Sequence, residues 1–328
     1  MKDLDLYRKM YLIYRAEQKI IDHYLEDEMK TPMHMSRGGE HIAVGVVEGL
    51  EEQDIVCGTY RTHALYLAKD GDLKKFFAEM LGRQGGTANG KAGSMHLLSP
   101  EKGLLCTTAI VATNIPVAVG AAFAAKQQGR DQVVAVFFGD GAVDEGAFWE
   151  SLNFACLKKL PIIFVYEDND LAVHTRSQDR HGYQSLTDIV EHFDCKILST
   201  GLYVSTIQHY ACPHDVTWIY DQAMKARRLC ADGPVWMRFP YYRYLEHVGV
   251  FEDFNSGYRS KTEYEEEWKY KDAISVHRDK AIEADGHRCV NNLEEELNAQ
   301  VDEAFEHASS LPFPDDSELY KDVFYENA

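Results

Sequence analysis

The sequence predicts an α/β protein built on a doubly wound parallel sheet, with a helical extension at its C-terminal end. Three observations carry this. Residues 133–138 (VVAVFF) are an unbroken apolar run of strand length, as expected of a strand covered on both faces. They lead through GDGAVDEG (139–146) into an amphipathic stretch, AFWESLNFACLKKL, with Phe148, Leu152, Ala155 and Leu160 along one side. Pro161 then opens a second apolar run, IIFVYED (162–168). Strand, helix, strand at this spacing is a parallel crossover.

The other elements follow in order. Leu6, Met10, Ile13, Glu17, Ile20 and Tyr24 recur at three- and four-residue steps and predict an opening helix. The pattern breaks in a glycine-bearing loop, PMHMSRGG (32–39), and resumes as a helix through HIAVGVVEGL. Residues 82–103 (GRQGGTANGKAGSMHLLSPEKG) lack periodicity; a loop of this length is expected to be functional, or ordered by a ligand or partner. NIPVAVGAAFAA (114–125) predicts a helix whose Ala and Gly suit close packing against another backbone. After the crossover come a helix at SLTDIVEHF, a strand at KILSTGLYV, a helix through HDVTWIYDQAMKARRL and a strand at PVWMRFPYYRY. From about Ser260 the chain reads as acidic helix, ending in an extended LPFPDDSELYKDVF. The whole chain, 1–328, is expected to form one domain.

Composition narrows the function. The net charge of −19 argues against a nucleic-acid surface, which needs clustered Lys and Arg. Residues 246–328 carry −14 of it, which reads as a solvated helical face or as a docking surface for a basic partner. No apolar run approaches the roughly 20 residues of a membrane span. The N-terminus, MKDLDLYRKMYLIYR, has the pattern of neither a signal nor a transit peptide. Cys57, Cys106, Cys156, Cys195, Cys212, Cys230 and Cys289 are odd in number and form no CxxC, so free thiols in a reducing cytoplasm are expected.

In doubly wound sheets, ligands gather at the carboxyl ends of the strands. Asp140 lies just past the first strand of the crossover and Asn169 just past the second, so parallel geometry sets them side by side. A carboxylate, an amide oxygen and a backbone carbonyl from the following turn are three hard oxygen ligands. They suit Mg²⁺, which completes its octahedron with phosphate oxygens and water. Gly139 and Gly141 allow backbone to approach a phosphate, and the next helix opens with N–H groups that favour an anion. GDG alone is a common turn; GDG after a buried strand with Asn past the next is far more specific. The chain has neither GxGxxG nor GxxxxGK[ST], which argues against nicotinamide and nucleoside-triphosphate chemistry.

GDGAVDEGAFWESLNFACLKKLPIIFVYEDN resembles the thiamine-diphosphate motif of the alpha subunit of the first component of 2-oxo acid dehydrogenases. That family includes pyruvate, branched-chain and acetoin enzymes. YRKMYLIYRAEQKI, TYRTHALYLAKD, GRQGGTANGKAGSMH, GPVWMRFPYYRYLEH and SLPFPDDSELYKDVF are similar to further family segments, so the resemblance spans roughly residues 4 to 325. It implies Mg²⁺ ligation by Asp140, Asn169 and the Leu171 carbonyl, and backbone contacts to the diphosphate from Gly141 and Ala142. Tyr60 and Arg61 would bind the diphosphate from the other side. Ala109 and Val111 would meet the aminopyrimidine through their backbones. His34 would line the mouth of the active site, and His247 would sit on a mobile loop beside the diphosphate, both as catalytic candidates. Taken singly, these side chains read as a core tyrosine, a surface ion pair and two structural histidines. His41, His63 and His96 read as structural, with His63 placed to orient the loop that carries Arg61. Glu145 reads as a residue that caps or charges the next helix.

The resemblance further implies a beta subunit carrying the pyrimidine-binding module, a heterotetramer, and inactivity of this chain alone. The implied reaction decarboxylates a 2-oxo acid, or cleaves an acetoin-like ketone, and transfers the acyl group to a lipoyl acceptor, such as that of a lipoyl acyltransferase. Departures fall near the substrate. YLEH247VGVFEDF lacks the family's paired glycines and serine, Leu245 and Glu246 are expected to stiffen the loop, and His174 stands where a small residue is common. These point to a larger or more polar substrate. They keep open a non-oxidative ligase or transferase with an aldehyde or sugar acceptor, and a non-catalytic homologue as a third reading.

Overall fold

The computed structural model describes residues 3–199, 214–269 and 272–321. Cys212 and the second half of KILSTGLYV lie outside them, as do the last residues of the C-terminal segment. Six strands form one parallel sheet in the order β2 (Leu104–Thr107), β1 (Ile55–Gly58), β3 (Val134–Gly139), β4 (Ile162–Asp168), β8 (Val235–Pro240), β7 (Lys196–Ser199). A small hairpin of β5 (Leu171–Ala172) and β6 (Thr175–Arg176) stands apart from it. The expected doubly wound sheet is present. β1 and β2, four residues each, are additions the hydrophobic pattern did not reveal.

The apolar run of β3 is continuous because both faces are covered. Ala135 and Phe137, with Ile163 and Val165 of β4 and Met237 of β8, face one core. α1 (Asp3–His23), α2 (Glu40–Glu48), α3 (His63–Ala68), α4 (Leu73–Met80) and α8 (Val216–Leu229) contribute to that side. Val134, Val136 and Phe138, with Phe164, Tyr166 and Trp236, face the other, covered by α5 (Asn114–Gln127), α6 (Gly146–Lys158) and α7 (Leu186–Val190). α2 sits tightly on α8: a Cβ on Gly45 would stand 2.5 Å from Ile219 Cγ2, and one on Gly49 2.4 Å from Ala223 Cβ.

The C-terminal part comprises a short α9 (Lys261–Glu263), α10 (Ala273–Asp285) and α11 (His287–Ser310). α11 buries Val290, Leu293, Leu297, Val301 and Phe305 in the core shared with α1 and α4. Its acids meet bases on those helices: Glu296 with Arg8, Asp302 with Arg15 and Lys19, Glu303 with Lys74. Part of the acidic surplus is therefore spent inside the chain.

The glycine-rich loop has an internal organiser. Glu79 of α4, 1% exposed, accepts four backbone N–H bonds: from Ala88 (2.8 Å) and Gly90 (3.0 Å) on Oε2, and from Ala92 (2.7 Å) and Gly93 (2.9 Å) on Oε1. Gly86 passes so close that a Cβ would lie 2.4 Å from Glu79 Oε2. The loop thus has an anchor in its own chain.

Candidate active site

A cavity of about 200 Å³ opens at the carboxyl ends of β1, β2, β3, β4 and β8. Of the residues singled out from the sequence, Tyr60, Arg61, Val111, Asp140, Gly141, Ala142, Asn169, Leu171 and His247 line it. Ala109 does not, although its neighbours Thr108 and Ile110 do. His34 is buried beside the cavity, its ring 4.5 Å from that of Tyr60 and 5.3 Å from that of His247. It backs the wall where the sequence reading put it at the mouth.

Parallel register explains the meeting of Asp140 and Asn169. Gly139 pairs with Glu167 across β3 and β4, so Asp140, one residue on, and Asn169, two residues on, both emerge at the same end of the sheet. The Asp140 carboxylate is buried and carries the Arg180 guanidinium, with Ser177 Oγ at 3.4 Å. Burial, then the charge of Asp168, pushes its pKa up to about 7 against the opposing pull of Arg180. Asn169 Oδ1 accepts the Leu171 N–H at 3.0 Å and its Nδ2 donates to Tyr241 Oη at 2.9 Å, which fixes the amide plane. Gly141 is close-packed: a Cβ there would lie 3.1 Å from that of Ala172. A 3₁₀ turn, Ala142–Asp144, fills the segment between the glycines and α6. Glu145 takes the N-cap position of α6, but its side chain makes no capping hydrogen bond and lines the cavity.

On the opposite wall Arg61 donates from Nη1 to the Met35 carbonyl at 2.6 Å and from Nη2 to the His247 carbonyl at 3.3 Å. Burial, then the charge of Arg61, lowers His34 and His247 to about 3 each, so both rings are neutral near pH 7. The His247 loop is tied down at both ends. Gly249 N–H donates to the Met33 carbonyl at 2.9 Å, and Glu246 folds back so that its Oε1 accepts the Phe251 N–H at 3.1 Å. His174 stacks on Tyr258 with ring centroids 4.4 Å apart and does not line the cavity.

Three contributors escaped sequence reasoning. Glu167, two residues before Asn169, lines the cavity, and burial pushes it up to about 8 despite Arg61. Its position one residue before the end of the same strand is the available signal. Arg243 is buried and donates to the carbonyls of Leu245 and Val173 (3.1 Å each) and to Tyr258 Oη at 2.7 Å. Arg180 comes from the segment after the β5–β6 hairpin, and no local pattern tied it to Asp140. Two non-glycine residues of the lining, Ala112 (φ 64°) and Val173 (φ 58°), hold left-handed backbone, strained for a β-branched side chain above all.

The arrangement gathers hard oxygen donors and a guanidinium around one cavity, as an anion bridged to a cation requires. Residues 8–317 match the family described as dehydrogenase E1 component. The chain is similar to the alpha subunit of acetoin:2,6-dichlorophenolindophenol oxidoreductase of Bacillus subtilis, 30% identical over 98% of this chain and 93% of that protein. It is 32% identical to the alpha subunit of the pyruvate dehydrogenase E1 component of Zymomonas mobilis, over 98% of this chain and 88% of that protein. With the mitochondrial counterpart from Solanum tuberosum, identity is 32% over 89% of this chain and 71% of that protein.

Proposed function

The chain belongs to the dehydrogenase E1 component family, and from that we propose that it is the alpha subunit of a thiamine-diphosphate-dependent 2-oxo acid dehydrogenase-type enzyme. It acts on a 2-oxo acid or an acetoin-like ketone and passes the acyl group to a lipoyl acceptor. Thiamine diphosphate, when bound, supplies the carbon nucleophile and the electron sink for breaking the bond beside the carbonyl.

The residues present fit the diphosphate end of that cofactor with Mg²⁺. Asp140 is a buried carboxylate that already attracts a cation, and the Asn169 amide oxygen and the Leu171 carbonyl add two hard donors beside it. Among the described residues no three His, Cys, Asp or Glu side chains cluster for a metal, and this set, with one carboxylate, needs none. Arg61, Tyr60 and the backbone at Gly141 and Ala142 would hold the phosphate oxygens. Neutral His34 and His247 can donate or accept a proton without adding charge. The carrying observation is the meeting of Asp140, Asn169, Leu171 and Arg61 around one cavity at the strand ends.

A beta subunit completes the site, in a heterotetramer. Ile110 (67% exposed) and Val111 (43%) stand at the cavity, and Val117, Phe154 and Leu157 continue an exposed apolar face over α5 and α6. Such a face suits burial against a partner. The described cysteines are all free thiols, which supports a cytoplasmic setting, and among the described residues no helix is long and apolar enough to cross a membrane.

Calorimetry on the alpha–beta assembly tests the reading: thiamine diphosphate binds only with Mg²⁺, and the Asp140→Ala assembly does not bind it. Mg²⁺-independent binding refutes the ligand set. A second reading, transfer to an aldehyde or sugar acceptor, is favoured by the His247 loop, where Val248 is exposed and Glu246 closes the turn. Turnover with lipoamide against turnover with aldehydes separates the two.

A further inference from the structure

Glu17 sits in the middle of α1, wholly buried and outside the cavity lining. A buried carboxylate is costly unless donors converge on it. Here Oε1 accepts the Ser36 N–H at 2.6 Å and meets His63 Nδ1 at 2.9 Å, while Oε2 faces Arg37 Nε at 3.6 Å. On its far side His63 Nε2 meets Ser94 Oγ at 2.6 Å. An ionised carboxylate only accepts, so Nδ1 bears a proton; with the ring in its neutral tautomer, Nε2 accepts and the Ser94 hydroxyl donates. The order serine, histidine, carboxylate has the polarity of a nucleophilic triad, but Ser94 is fully buried and out of reach of a substrate. The chain of bonds is a brace.

What it braces is one peptide unit of the active site. The Met35–Ser36 N–H donates to Glu17, and the carbonyl of the same peptide accepts from Arg61 Nη1 at 2.6 Å. Glu17 is thus joined to the Arg61 guanidinium through a single peptide, each bond polarising the other. A second link runs through His63, two residues after Arg61. A third closes the loop, the Ala64 N–H donating to Ser36 Oγ at 3.1 Å. His34, next to Met35, lies against Tyr60 with the two rings tilted. Through Ser94 the glycine-rich loop is fastened to the same point.

We propose that Glu17 is a positioning residue which, through the Met35–Ser36 peptide and His63, sets the aim of Arg61 into the cavity and so governs affinity for the diphosphate-bearing cofactor. The cofactor half of this rests on the function proposed above; the brace does not.

The test takes the alpha–beta assembly as wild type, Glu17→Gln, Arg61→Lys and the double variant, with calorimetric binding of thiamine diphosphate in Mg²⁺. Glu17→Gln is expected to weaken binding about 10- to 100-fold, the usual cost of losing an orienting partner one shell out. On top of Arg61→Lys it is expected to cost less than about threefold, because it acts through that guanidinium. A full-size loss in the Arg61→Lys background overturns the proposal, as does unchanged binding by Glu17→Gln alone. Hydrogen exchange without cofactor is expected to quicken about tenfold or more at residues 33–37 in Glu17→Gln while β8 keeps its protection. Unchanged exchange there overturns the brace by itself, whereas a wild-type assembly that binds no thiamine diphosphate counts against the function reading. Should Glu17→Gln fail to fold, Ser94→Ala releases the brace from its outer end. A loss of about two- to tenfold is then expected, and additivity with Arg61→Lys again refutes the coupling.

Discussion

Replacing Glu79 by Gln tests how the glycine-rich loop is held. The substitution keeps side-chain volume and changes only charge and donor pattern. In the wild type, four backbone N–H groups point at the two carboxylate oxygens, two to each. Gln retains one oxygen, so one pair of bonds survives and the other pair meets an amide NH₂, donor against donor. Hydrogen bonds to a charged acceptor contribute about 1.5–3 kcal/mol each, so two lost bonds cost about 3–6 kcal/mol. At roughly 1.4 kcal/mol per tenfold, amide exchange over residues 86–93 should quicken by about 10²- to 10⁴-fold. The measurement is hydrogen exchange by mass spectrometry on the full chain, with β4 as the internal reference. Protection at 86–93 unchanged to within about threefold would show that the loop is held by something other than Glu79.

Other perturbations follow from the same geometry. Glu40 is buried, and burial raises its pKa from 4.5 to about 8 despite Arg37. With a folded pKa above the unfolded one, its contribution to stability is fully present below about pH 4.5 and lost as pH rises to about 8. Glu40→Gln should therefore flatten the pH dependence of the melting temperature between those limits; a parallel downward shift at every pH would refute the cause. Gly49→Ala places a Cβ 2.4 Å from that of Ala223 and 2.8 Å from the Tyr220 carbonyl oxygen, and overpacking of this kind should cost about 1–3 kcal/mol in denaturant titration. Leu157→Glu changes a side chain that is 71% exposed; the isolated chain should keep its stability to within about 0.5 kcal/mol while size-exclusion chromatography shows loss of assembly with the beta subunit.

The parts legible in the sequence are those whose cause is local. β3 and β4 were visible because both faces are buried, and α1 because seven of its residues are buried on one stripe. Asp140 and Asn169 could be paired because parallel strands convert a sequence offset into adjacency. β1 (IVCG) and β2 (LLCT) were too short for periodicity, and β2 is an edge strand with Leu105 exposed. The role of Glu79 was hidden because a lone acid in LKKFFAEM looks like any helical surface residue; its donors come from 9 to 14 positions downstream. Cysteines scattered in sequence also meet by register: Cys57 faces Cys106 across β1 and β2. Arg180, Arg243 and Glu17 share this property of acting through partners many residues away.

The balance of charge in the cavity bears on the proposal that a beta subunit completes the site. Arg61 and Arg243 stand near one wall, and the histidines between them are driven neutral by burial and by Arg61. Glu167 is pushed toward its uncharged form by burial, which leaves Asp140 with Arg180 as the ion pair facing it. Such a cavity is suited to receive a polyanion with its counter-ion. Of the carboxylates in its lining, Asp140 is committed to Arg180, Glu167 is held up by burial, and Glu145 stands exposed at the head of α6. The apolar rim at Ile110 and Val111, with Val117 and Leu157 exposed on α5 and α6, is the surface suited to a second chain. Charge added to the rim at Ile110 should therefore lower turnover and assembly together. A variant Ile110→Glu that assembles fully and turns over at the wild-type rate would place the partner elsewhere.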